Sequence, residues 1–102
     1  MVRGAGTGGR AIGRVIWHRP ELRIPVAVDA VLVAKTLLPT ELPLINAVAI
    51  VTETGGPLDH VAAQARERGI PAVVGADGAS SAFGEGDVVL VDADRGVVVR
   101  LL

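Results

Sequence analysis

The chain reads as a small α/β domain with a mixed sheet and a second, antiparallel layer, and three observations predict it. Residues 47–74 run strand, helix, strand: an apolar Ala47–Val51, an amphipathic stretch of about residues 57–68, and an apolar Ala72–Val74. That order makes one parallel crossover, right-handed by default. Near the end, Val88–Val91 and Gly96–Leu101 flank an Ala-Asp-Arg-Gly turn and predict a closing hairpin, a separate antiparallel layer. Half of the 102 residues are apolar, mostly Val, Ala, Leu and Ile, and Trp17 and Phe83 are the only aromatic ones. Small branched side chains pack in layers, which suits sheets covered by helices.

Taken in order, the Gly-rich first ten residues, MVRGAGTGGR, read as a flexible arm or the lead-in to the first strand. Ala11–Trp17 alternates loosely and predicts a strand; His18–Arg23, holding Pro20, predicts a turn. Ile24–Lys35 predicts a strand or two, with Asp29 at the bend between them. Thr40–Asn46 reads as a short helix entered through Pro39 and a Thr cap. Ala47–Val51 is continuously apolar, as in a strand covered on both faces. In the helix of residues 57–68, Pro57 suits the first helical position. Val61, Ala65 and Ala62 fall towards one face, and Gln64, Arg66, Glu67 and Arg68 largely on the other. Gly69 is placed to end that helix, and Gly78–Phe83 reads as a loop or a single helical turn.

Size and composition bound the function. A chain of 102 residues has room for one core, so residues 1–102 are expected to form a single domain. Two aromatic residues and a net charge of −1 argue against stacking platforms for single strands and against a footprint for duplex DNA or anionic membranes. With no cysteine, disulfides, thiolate metal sites and thiol nucleophiles are excluded. No leader pattern and no apolar run of about 20 residues occurs, so a cytoplasmic location is expected.

The chemistry concentrates in TETGGPLDH, residues 52–60. The plain reading of His60 is a residue in a helix's first turn that bonds a neighbour. Against it stands Gly55-Gly56, a costly way to enter a helix where Ser or Asp alone would cap, which suggests close backbone approach to a ligand. A neutral imidazole is a competent nucleophile near pH 7, and the positive helix end stabilises an arriving phosphoryl group. His60 is therefore placed to carry phosphate. A metal site finds no support, since His18 is the only other histidine and neither HxxxH nor HxH spacing occurs. There is no G-x-S-x-G elbow, no P-loop and no dinucleotide fingerprint. Ser80 and Ser81 read as turn formers, and His18 as a surface turn residue.

Several motifs then occur in a recognisable order: Thr52, Gly55-Gly56 and His60; Ala65-Arg66-Glu67; Gly69-Ile70-Pro71-Ala72-Val73-Val74-Gly75; and Gly86-Asp87-Val88-Val89-Leu90-Val91-Asp92. Upstream, Ala30–Ala34 followed by Pro39 fits the same series. Together they resemble the mobile, swivelling phosphohistidine domain of the phosphoenolpyruvate (PEP)-utilising enzymes, among them PEP synthase, pyruvate phosphate dikinase and rifampicin phosphotransferase. The resemblance implies a β/β/α swivelling domain in which His60 is the phosphoryl carrier, with Thr52, Gly55 and Gly56 shaping its phosphate pocket. It also implies partners: an ATP-grasp nucleotide-binding domain, and a PEP/pyruvate-binding domain or another acceptor. Magnesium and ATP or PEP belong to those partners, with no cofactor or metal expected on this chain.

The sequence departs from the pattern at Asp59, where relatives carry Ser, Thr or Cys. A carboxylate only accepts hydrogen bonds and repels phosphate. It either faces the phosphate, starts the helix or holds the imidazole tautomer. Nothing in 102 residues resembles an ATP site, so the chain is expected to be a stand-alone carrier or a domain of a longer protein. The alternative is a swivelling-type binding or assembly module that has lost phosphotransfer.

Overall fold

The computed structural model describes residues 1–18, 29–38 and 47–102. The turn expected over His18–Arg23 beyond its first residue, the start of the Ile24–Lys35 segment and the Thr40–Asn46 helix lie outside them. The strands are β1 Val2–Arg3, β2 Ala5–Gly6, β3 Arg10–Trp17, β4 Ala30–Ala34, β5 Ala49–Thr52, β6 Ala72–Val74, β7 Val88–Asp92 and β8 Val97–Arg100. The helices are α1 His60–Arg68 and α2 Ala79–Ala82.

All eight strands join one mixed sheet in the order β1-β8-β7-β3-β4-β5-β6-β2. Strands β3 to β6 run parallel to their neighbours in one half, and β7, β8 and β1 pair antiparallel in the other. The antiparallel pairing expected at the C-terminus is therefore present, but not as a detached sheet. Arg10–Arg14 of β3 pair with Asp92–Val88 of β7, so the hairpin hydrogen-bonds directly onto the parallel half.

The first residues make this possible, and they are not an arm. β1 and β2 occupy opposite ends of the sheet order yet are separated in the chain by Gly4 alone. Val2 and Arg3 pair with Val98 and Val97, while Ala5 and Gly6 pair with Val74 and Val73. One residue advances the chain only about 3.3 Å, so the two ends of the sheet meet there and the sheet wraps on itself. Side-chain alternation explains why the wrap is stable. Val2, Val15, Val31, Val33, Val51, Val73, Val89, Val91 and Val98 fill its inside with Phe83. The opposite faces of β4, β5 and β6 (Leu32, Ile50, Ala72, Val74) receive Val61, Ala62 and Ala65 of α1. Both halves of the sheet thus share one interior.

Candidate functional site

α1 sits on the outer face of the parallel half because Val61, Ala62 and Ala65 recur at helical spacing and are almost fully buried. Gly69 ends it in the left-handed region, φ 69°, with its N–H turned back to the carbonyls of Ala65 and Arg66. Its start differs from expectation. The helix begins at His60, not near residue 57, and Pro57 lies in the turn before it. Asp59 is the N-cap, its Oδ1 accepting from the Ala62 N–H at 2.9 Å. Its backbone carbonyl accepts from Ala63 at 3.0 Å, the first helical bond.

His60 is thus the first residue of α1, and it is exposed. Its Nε2 lies 2.7 Å from the carbonyl oxygen of Leu37. A carbonyl only accepts, so in this arrangement Nε2 carries a proton, and the neutral tautomer that fits it has its lone pair on Nδ1. The Leu37 carbonyl, and not Asp59, holds the imidazole. Sequence reasoning missed it because a backbone acceptor 23 residues upstream leaves no trace in side-chain identity. Among the described residues, the N–H groups of His60 and Val61 donate to nothing, leaving the first turn of the helix with open donors.

The loop before the helix is fixed from several sides. The buried Thr52 hydroxyl donates to the Thr54 carbonyl at 2.9 Å. The Thr54 hydroxyl and N–H both donate to the Lys35 carbonyl, at 2.9 and 3.0 Å. Glu53 accepts from the Ser80 hydroxyl at 3.0 Å and from its N–H at 3.3 Å, so it caps α2 and joins that turn to the loop. Ser80 thus sits in the single helical turn expected over Gly78–Phe83 and anchors the loop, and Glu53 is a positioning residue that the sequence did not reveal. His18 directly follows β3, half-buried, with its N–H donating to the Val33 carbonyl of β4 at 2.8 Å.

The two glycines differ. Gly55 has φ +97°, and a Cβ on it would strike the Asp59 carboxylate. Gly55 is therefore needed by the chain's own packing. Gly56 has no such constraint: a Cβ there would meet nothing within 4 Å. Gly75 closes the far side, donating to the Thr54 carbonyl at 3.1 Å with φ +68°, and its Cβ would approach the Gly55 carbonyl to 2.7 Å. The Thr-x-x-Gly-Gly and Ala-Val-Val-Gly segments of the sequence therefore meet at this loop. Among the described residues no group of three or more His, Asp or Glu is arranged to hold a metal ion. No helix among them is long and apolar enough to cross a membrane.

The wrapped sheet, with an exposed histidine at the head of the longer of the two helices among the described residues, defines a small α/β domain. Residues 22–96 match the PEP-utilising enzyme mobile domain, and the chain belongs to that family. It is 42% identical over 99 residues to the chondramide synthase of Chondromyces crocatus, covering 95% of this chain and 2% of that protein. It is 49% identical over 69 residues to a probable phosphoenolpyruvate synthase of Staphylothermus marinus, covering 67% of this chain and 8% of that protein. The solution structure of Enzyme I superposes with a TM-score of 0.64 at 31% identity, over 78% of this chain and 32% of that one. The chain thus spans under a tenth of the length of these two curated relatives.

Proposed function

We propose that this domain carries a phosphoryl group on His60 between a nucleotide site of the ATP-grasp type and a PEP/pyruvate or other acceptor site, both on other domains or proteins. The observation that carries the reading is the placement of His60: exposed, first in its helix, and ring-fixed through Nε2 by the Leu37 carbonyl, in a chain of the PEP-utilising family. In the transfer, the lone pair of the unprotonated ring nitrogen forms a P–N bond as the donor's P–O bond breaks. The bonding electrons leave on the donor oxygen, and the other ring nitrogen keeps its proton. Attack through Nδ1 leaves the Leu37 bond in place; attack through Nε2 requires the ring to turn away and move its proton. The open donors of the first helical turn face the incoming charge in the favourable sense of the helix dipole.

In this reading Thr52 and Gly55 shape the pocket by fixing the loop, and Gly56 leaves room for phosphate to approach the backbone. Magnesium and ATP or PEP belong to the partner sites, and the domain works in the cytoplasm. It is a component of a phosphotransferase and turns nothing over alone, because phosphoryl transfer needs a metal and a cationic clamp supplied elsewhere.

The test is covalent. With a competent partner and ATP or PEP, His60 acquires a phosphate that is acid-labile and alkali-stable by intact mass. His60→Ala abolishes it and His18→Ala does not. Phosphate on Ser80, Ser81 or Thr52 overturns the reading. A second reading, a binding or assembly module without phosphotransfer, draws on Asp59, whose carboxylate already caps the helix end that phosphate would approach. An unmodified His60 under the same conditions selects it.

A further inference from the structure

The antiparallel half of the sheet has an outer face that neither described helix covers. Alternation puts Val89, Val91 and Val98 inside, so Val88, Leu90, Val97 and Val99 point outward. Leu90 pairs with Val99, and the four side chains make an apolar stripe along β7 and β8. All four are only half-buried, and none belongs to either core cluster of the described residues. A concavity of about 340 Å³ opens on the stripe, its walls including Leu90, Val97 and Val99 with Arg3, Asp92 and Arg95. Arginines border the stripe on both sides. Arg3 of β1 pairs with Val97, and Arg10 and Arg14 of β3 pair with Asp92 and Val88. Their counter-charges leave them prominent. Asp92 takes Arg10 at 3.5 Å and Arg95 at 4.0 Å, yet its side chain is 11% exposed against 58% and 77% for the arginines. Arg10 also reaches Asp94 at 3.7 Å, and Arg14 reaches Asp29 at 3.8 Å. Arg3 forms no ion pair with a described residue.

We infer that this face binds an amphipathic helix of a partner, with carboxylates on both flanks of its apolar stripe, lying along β7 and β8. Strands lie about 4.8 Å apart, so the arginine borders on β1 and β3 stand about 14 Å from each other. A helix with its side chains is about 10–12 Å across, which puts acidic flanks within reach of Arg3 on one side and of Arg10 and Arg14 on the other. The five residues of β7 span about 17 Å, the length of about three helical turns. Charge decides against the other occupants. A second copy related by a two-fold along the strands lays Arg3 on Arg10, and a two-fold across them lays Arg10 on Arg14. Segments 19–28 and 39–46 of this chain each hold one acidic residue, Glu21 and Glu41, too few to answer three arginines. A bilayer would need protruding apolar side chains, and the stripe is half-buried; bases would need an aromatic platform, and neither aromatic residue lies on the stripe. The binding requires no phosphate on His60.

The test adds two synthetic peptides to the full chain, each of about 18 residues, long enough to form a helix. Both carry a leucine stripe at i, i+3, i+4 and i+7; one has Glu on both flanks and the other Lys. The Glu peptide should bind with a Kd below about 100 μM by calorimetry and shift the methyl resonances of Leu90, Val97 and Val99. The Lys peptide should bind at least about tenfold more weakly. Arg3→Glu should weaken binding of the Glu peptide about fivefold, and Arg3→Glu with Arg14→Glu about twentyfold. The double variant should gain affinity for the Lys peptide, which separates charge recognition from a loss of fold. The inference is overturned if the Glu peptide fails to bind at about 1 mM, if both peptides bind equally, or if the shifted resonances lie on α1. A dimer in sedimentation that Arg3→Glu changes gives the face to a second copy. Binding to phosphatidylglycerol vesicles that displaces the Glu peptide gives it to a membrane surface. Either result overturns the helix as its occupant.

Discussion

Two glycine clusters, one where the sheet closes and one in the loop before His60, serve opposite purposes. Where the sheet closes, Gly4, Gly6 and Gly96 let backbone meet backbone: a Cβ on Gly4 would strike the Val74 carbonyl, one on Gly6 the Ala93 carbonyl, and one on Gly96 the Gly4 carbonyl. In the loop before His60, Gly55 is fixed by its positive φ and the Asp59 side chain, whereas Gly56 borders open space. A run of glycines near a reactive residue therefore does not mark a ligand by itself. Space left unfilled by the chain is the informative feature, and only Gly56 has it within the Gly-Gly pair.

The largest effect is expected at the closure. Gly6→Ala forces a methyl into the Ala93 main chain, which has no flexible end to move, and should cost about 3 kcal/mol. The urea midpoint should fall accordingly, and a midpoint unchanged within error would mean that β1 and β2 do not close the sheet in solution. Gly55→Ala comes next, at about 2 kcal/mol, from the positive φ and the displaced Asp59 cap. If its effect on thermal stability equalled that of Gly6→Ala, the contrast between backbone and side-chain neighbours would lose its basis.

Asp59 sharpens the comparison because it links the loop to the helix. Asp59→Ala should lose about 1 kcal/mol, and Asp59→Ser, which keeps a capping oxygen, only about 0.3. The equilibrium fraction of phospho-His60 with a fixed donor should stay within about twofold in the Ser variant, since the carboxylate is engaged with the Ala62 N–H. A several-fold rise would show that Asp59 repels the phosphate and belongs to the site's electrostatics. The smallest effect on stability is expected for Gly56→Ala, below about 1 kcal/mol, because its Cβ enters open space. The same change should slow phosphorylation of His60 about tenfold by crowding the approach to the backbone. Unaltered kinetics would assign Gly56 to the turn alone, and the two clusters would then differ only in what they pack against.

Much of the helix that carries His60 was legible in the residues. The apolar spacing of Val61, Ala62 and Ala65 and the stop at Gly69 both hold, because periodicity and capping act within a few residues of chain. The strands Ala11–Trp17, Ala47–Val51 and Ala72–Val74 are found within a residue or two, for the same reason. The helix start was misplaced by three residues: Pro57 fits a first helical turn, but the Asp59 cap sets the boundary, and a cap is recognised only by the bond it makes. Asp59's choice among three roles was likewise undecided by its type, since a carboxylate serves each equally well.

The sequence by itself determined the local periods, the strand–helix–strand order around the histidine, and the motif series that places the chain in its family. It could not determine that Val2–Arg3 and Ala5–Gly6 hold opposite ends of one sheet, because two-residue strands carry no pattern and gain stability only when distant partners are already in place. Nor could it show that Leu37 lends its carbonyl to His60, or that Glu53 reaches Ser80. Those bonds join segments 20 or more residues apart. Hydrogen bonding between such segments depends on where the wrapped sheet delivers each backbone, and the tertiary structure alone decides that.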